Sequence, residues 1–187
     1  MLKDNRSGFG LISIAIHWVS AIAIVFMFGL GIYMVDLSYY DPWYHKGPAL
    51  HVSIGLLLLL LTLCRLAWRL FNPKPKAVAG TTKWQHLAAE AMKIALYALL
   101  LTLLITGYLI NSAEGKGPQL FNWVSFPVFV QIDPAQVDLA GFIHRIFAWL
   151  IVILAGIHGL AALAHHFLFR DRTLVRMLKP VKSETTQ

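Results

Sequence analysis

Charge is what this chain of 187 residues has least of: only 13% of it is Asp, Glu, Lys or Arg, and nine residues in all are acidic. A soluble domain carries about 25% charged residues, so water is excluded as the only solvent. Cysteine is nearly missing too. Cys64 stands alone, which rules out a disulfide within the chain, and its apolar neighbours read as burying it. Internal repeats and low-complexity segments are also lacking.

What fills the chain instead is hydrocarbon. Apolar residues make up 58% of it and the mean hydropathy is +0.64. A bilayer core of roughly 30 Å needs about 20 such residues per helix. Four stretches meet that length, at about residues 11–35, 51–70, 86–110 and 142–169. In lipid every backbone polar group must be paired within its own segment or in a closed barrel. Runs such as Leu56–Leu61 lack the alternation of a barrel strand, so all four are expected to be helices of one domain. The first is too long for the apolar core of a signal peptide and is followed by no small-residue cleavage site. It is expected to stay as a helix.

The basic surplus, 16 Lys and Arg, could suggest nucleic acid, but its placement argues against that partner. Lys3 and Arg6 precede the first stretch. Arg65, Arg69, Lys74, Lys76 and Lys83 lie at or between the second and third, and Arg170, Arg172, Arg176, Lys179 and Lys182 follow the fourth. The other two connections carry only Lys46 and Lys116. Short basic loops mark the cytoplasmic side, so both termini are expected inside and membrane lipid is the partner. Asn72-Pro73-Lys74-Pro75 stops the second helix. The longest connection, residues 111–141, holds an apolar, aromatic piece at residues 120–130, too short to span and expected at the outer surface or as a cap. A polar tail is expected over residues 180–187.

Eight histidines are out of place in so apolar a chain. An ionisable side chain inside a membrane is costly and points to function, and neutral imidazole is the commonest metal ligand and holds haem iron. No C-x-x-C-H run exists, so a haem here would be non-covalent, of the b type. His144 and His158, fourteen apart, fall about 21 Å apart along a helix and within about 40° of one face. Such spacing suits two haems at two depths. His51 and His144 open their helices at the same end and are matched in depth, which makes them the outer pair. On the inner side His17 faces a choice of His158, His165 and His166. The small residues around His158 favour it, but periodicity does not separate it from His165.

The run Ile14-Ala15-Ile16-His17-Trp18, then His51-Val52-Ser53-Ile54-Gly55 and Arg65-Leu66-Ala67-Trp68-Arg69, resembles the bacterial cytochrome b561 family. So does His144 to His158 followed by Ala164-His165-His166 and Asp171-Arg172-Thr173-Leu174. The likeness covers about residues 9–179. It implies an all-α transmembrane four-helix bundle in the inner membrane, with two b haems between helices. It also implies ligation by His17 with His158 on the cytoplasmic side and by His51 with His144 on the periplasmic side, which selects His158. Family members oxidise or reduce quinone, and one branch oxidises superoxide while reducing ubiquinone. One departure stands out: Lys93 occupies the place, four before Tyr97, where relatives often carry a His.

The expected function is thus a di-haem oxidoreductase passing electrons between a quinone and a periplasmic donor or acceptor, with superoxide as one candidate donor. With both axial positions taken by His, the iron favours outer-sphere electron transfer. Arg65, Arg69 and Arg145 are candidate partners of haem propionates, since guanidinium pairs with carboxylate in two places. For Arg65 and Arg69, simple anchoring on the positive side explains the charge equally well. His45, His86, His165 and His166 read as interfacial. Two rivals stand beside this reading: a haem anchor of a larger dehydrogenase, and a histidine-based proton or metal transporter. Apart from Glu90 near the start of the third, the spans lack the acidic residues and broken helices that accompany transport sites.

Overall fold

The computed structural model describes residues 1–113 and 115–181; most of the expected polar tail lies outside the described residues. Four α-helices dominate: α1 (Leu11–Val35), α2 (Lys46–Phe71), α3 (Lys83–Ser112) and α4 (Pro134–Phe167). All four are long and apolar enough to cross a membrane. The all-α membrane architecture holds.

α1 matches its apolar stretch, whereas the other three helices begin before theirs, and for α3 and α4 the N-terminal caps explain why. At α4, Gln136 N–H donates to Asp133 Oδ1 at 2.9 Å while Asp133 N–H donates to Gln136 Oε1 at 3.0 Å. That reciprocal pair is a capping box, and Pro134 occupies the first helical position, where its missing N–H costs nothing. The helix therefore starts eight residues before the apolar run. Thr82 and Gln85 do the same for α3. Hydropathy locates the membrane, whereas hydrogen bonding locates the helix ends.

The chain divides into two compact units, each drawing a segment from all four helices. The first comprises Met1–Ala21, Leu61–Ala95 and the chain from Leu154 onward; the second comprises Ile22–Leu60 and Leu96–Ile153. In the first, Asp4 is buried and receives hydrogen bonds from Gly10 N–H and the Ser13 hydroxyl, both at 2.7 Å. Ser13 in turn accepts from Trp68 Nε1, so the start of α1 is tied to the end of α2. A clasp closes this unit's terminal segments. Arg176 donates to the carbonyls of Ser7 and Lys76, Trp18 Nε1 donates to the Met177 carbonyl, and Val181 N–H donates to Phe9.

In the second unit, residues 119–125 form a small antiparallel hairpin, Gln119–Leu120 against Val124–Ser125. Three residues, Phe121–Trp123, connect the strands, and the first two, Phe121 and Asn122, have φ of 49° and 61°. Left-handed backbone is unusual for a residue as bulky as Phe. Ser53 of α2 anchors it, accepting Phe121 N–H at 2.8 Å while its own hydroxyl donates to the Ala49 carbonyl at 2.7 Å. Tyr108 holds the next segment, donating to the Pro127 carbonyl and accepting Phe129 N–H.

Burial is inverted relative to a water-soluble protein. Ser20, Ser53, Thr62, Thr106 and Ser112 are buried, while Ile22, Val25, Leu60, Ile94 and Leu160 are exposed. Lipid is as apolar as leucine, so small and hydroxyl-bearing residues face neighbouring helices and large aliphatic ones face outward. Cys64 departs from this rule, being small yet exposed. The sequence-based expectation of burial fails because apolar neighbours in a membrane helix mark the lipid side as often as the interior.

Candidate functional site

Each unit brings two histidines from different helices together. In the first unit His17 of α1 meets His158 of α4, with ring centres 6.4 Å apart and planes at 75°. In the second, His51 of α2 meets His144 of α4 at 6.2 Å and 64°. Metal–imidazole bonds are about 2 Å long, so two rings gripping one metal from opposite sides have centres about 6 Å apart. Both separations fit a metal held between the rings. Such spacing also occurs in ordinary edge-to-face aromatic pairs, so the surroundings decide.

Around His51 and His144 lies a cavity of about 740 Å³, within the range of sites that take a cofactor-sized ligand. Its walls are largely apolar, with Arg145, Asp36, Asp138 and Asn111 as polar members. His51 Nδ1 is buried without a hydrogen-bond partner, a costly state for a polar atom. Two glycines admit the rings. A Cβ at Gly31 would lie 3.5 Å from His51 Cε1, and one at Gly107 would lie 3.3 Å from His144 Cε1. Thr106 Oγ1 stands 3.0 Å from His144 Nδ1. Trp149 is half-exposed on the cavity wall, edge-on to Phe28 at 4.9 Å.

Cations surround the other pair. Arg65 Nη2 lies 3.0 Å from His17 Nδ1, and the charges of Arg65 and Lys93 both act on His158. Lys93 forms an ion pair with Glu90, which Arg69 and His86 also reach electrostatically. Arg69 thus belongs with the Glu90 group, while Arg65 belongs with the histidine pair. A Cβ at Gly156 or Gly159 would meet nothing within 4 Å, leaving open space along α4 on either side of His158.

The remaining histidines lie elsewhere. His45 packs against Tyr39 and Tyr44. His165 is held by Asp171, Nδ1 to Oδ2 at 2.5 Å, and Asp171 also accepts Thr173 N–H at 2.7 Å. Burial alone would raise the Asp171 carboxyl, but Thr173 and His165 outweigh it and hold the group below the usual carboxylate range. Among the described residues no three His, Cys, Asp or Glu side chains converge as a metal site. The facing histidines come in twos.

Sequence reasoning missed Thr106, Gly31 and Gly107. The available signal was a hydroxyl beside a glycine, Thr106-Gly107, interrupting the leucine-rich middle of α3.

A four-helix membrane protein with paired imidazoles facing across its helices is the class of a transmembrane b-type cytochrome. Residues 8–180 match the family described as prokaryotic cytochrome b561. The chain is 46% identical to cytochrome b561 homolog 2 of Escherichia coli, covering 94% of both chains. It is 32% identical to cytochrome b562 of Cereibacter sphaeroides, covering 94% of this chain and 98% of that one. A Yersinia pestis protein named probable superoxide oxidase CybB is 26% identical over 91% of this chain and 95% of its own length. The chain belongs to the prokaryotic cytochrome b561 family, and is a membrane electron-transfer protein of the kind that binds haem b.

Proposed function

We propose that the protein binds two b haems, one between His17 and His158 and the other between His51 and His144, and carries electrons between a quinone and a periplasmic partner. The observation that carries this reading is the pair of opposed imidazoles in each unit, at centre separations of 6.4 and 6.2 Å. When bound, haem would supply a one-electron couple, held by the two histidines of each unit. The chain's own residues do the rest. The two histidines of each unit grip the iron, and the apolar cavity walls exclude water. Arg65 beside His17 and Arg145 in the cavity lining are placed to pair with propionates. Arg69 has a weaker claim, since it is engaged with the Glu90 group. The charge asymmetry of the loops supports an inner-membrane protein with both termini in the cytoplasm, which puts the His51/His144 site on the periplasmic side.

A second reading takes superoxide as the periplasmic donor, supported by the name of the Yersinia pestis relative. Arg145 would attract the anion, but Asp36 and Asp138 line the same cavity and offset its charge. Outer-sphere donation from a larger periplasmic partner is therefore the better-supported form.

Purified protein should show a reduced-minus-oxidised b-type spectrum with two haems per chain. One haem per chain, or a colourless protein made under ample haem supply, defeats the reading. Pulsed superoxide in the presence of ubiquinone tests the second form, which fails if turnover does not exceed that of haem-free protein.

A further inference from the structure

We propose that Thr106 is a positioning residue: it holds His144 with Nδ1 as the hydrogen-bond donor and Nε2 turned to the metal, and it sets the plane of that imidazole. This inference rests on the reading of His51 and His144 as a ligand pair.

The hydrogen-bond inventory fixes the direction. Thr106 is buried, and its Oγ1 lies 2.8 Å from the Thr102 carbonyl and 3.1 Å from the Leu103 carbonyl. Both are acceptors only, and the shorter contact, to the Thr102 carbonyl, is the back-bond that a helical threonine makes, so we assign the one hydroxyl proton to it. Toward His144 Nδ1, at 3.0 Å, the hydroxyl can offer only a lone pair. Nδ1 must then carry the proton. In a neutral imidazole with Nδ1 protonated, Nε2 is the nitrogen left with an in-plane lone pair.

Steric contact adds a second constraint. Thr is β-branched, and in a helix its hydroxyl bonds back to a carbonyl of the preceding turn, as it does here, so the oxygen is fixed before the imidazole meets it. Gly107 follows directly, and the 3.3 Å between its would-be Cβ and His144 Cε1 means that the ring edge rests on the α3 backbone. Oxygen on one ring atom and backbone on the next leave the ring little freedom to turn. His51, its opposite number, has no hydrogen bond at Nδ1. His144 is thus the ring of the pair whose orientation hydrogen bonding holds, with the two planes at 64°. A hydrogen bond accepted from the far nitrogen makes a ligating imidazole more basic, which favours the ferric form.

The test uses the full-length, haem-loaded protein with Thr106→Val, which keeps the shape, and Thr106→Ser, which keeps the hydroxyl. Valine should retain both haems and move one midpoint potential upward, changing the ferric-to-ferrous ratio at fixed potential by about three- to tenfold. The low-spin EPR signal of the same haem should shift as the ring turns, and the other haem should not move. Serine should restore both properties. Unchanged potential and EPR in the valine variant, or a serine variant that behaves like valine, overturns the proposal. If valine does not accumulate, Thr106→Ala against serine makes the same comparison. Failure of the ligation reading looks different: His144→Leu would then keep two haems whatever Thr106 does.

Discussion

The two histidine pairs have nearly the same separation and very different company. His17 and His158 are met by charge, Arg65 at 3.0 Å from one ring and Lys93 acting on the other. His51 and His144 are met by a threonine hydroxyl, two glycines and an apolar cavity. The contrast teaches that one ligand type can be tuned by two separate means. A cation near the metal stabilises the reduced form through space, whereas a hydrogen-bond acceptor behind the ligand stabilises the oxidised form through the ring. On the proposed ligation, the haem of the first unit should be the easier to reduce.

The hardest blow to this comparison is removal of a ligand. His144→Leu should leave only the haem among the cations, and His158→Leu only the one beside the glycines. Haem content should fall from two to one per chain in each case. Retention of two in the His158 variant would move the ligand to His165 or His166 and dissolve the contrast.

A gentler change attacks the cation alone. Arg65→Met removes a unit charge within several ångströms of the proposed iron, worth about 2–3 kcal/mol at an effective dielectric near 20. The potential of the first-unit haem should fall, opposite in sign to the rise expected for Thr106→Val in the second unit. A spectroelectrochemical titration resolves both. If the Arg65 variant leaves both potentials in place, the through-space half of the comparison is wrong.

How much of this was legible beforehand depends on the range of the signal. The four helices were readable because hydrocarbon length is a property of one contiguous stretch, and α1 was placed to the residue. The early starts of α3 and α4 were written in Thr82–Gln85 and Asp133–Gln136, short polar signatures that a hydropathy window averages away. That His144 and His158 share one face of α4 is a local matter of helical period. That Arg65 turns to His17, or that Thr106 sits behind His144, depends on how α1 meets α2 and α3 meets α4, which no single stretch encodes. Cys64 shows the same limit, since apolar neighbours do not say which side of a helix faces lipid.

The glycines give a finer discrimination inside the second unit. A Cβ at Gly107 would press on His144 at 3.3 Å, whereas one at Gly31 would sit in ordinary contact with His51 at 3.5 Å. Gly107→Ala should therefore lower second-unit haem occupancy and displace its EPR signal, and Gly31→Ala should do so less. Equal effects would mean that both rings are held alike, contrary to the hydrogen bonds.

The smallest effect belongs to the first unit and is electrostatic again. Asp171 binds His165 and Thr173 beyond the end of α4, and these partners hold its carboxyl below the usual range. A carboxyl depressed on folding stabilises the native state above its unfolded value of about 3.9, and that contribution disappears as pH falls through the lower folded value. Asp171→Asn should thus reduce thermal stability modestly, by about 1 kcal/mol or less, across neutral pH. The gap between variant and parent should narrow once the parent's carboxyl protonates below about pH 4. Both haem potentials should be untouched, because Asp171 organises the turn after α4 and not the ligand pair. A gap that stays constant down to pH 3 would mean that the turn is held by its backbone hydrogen bonds alone.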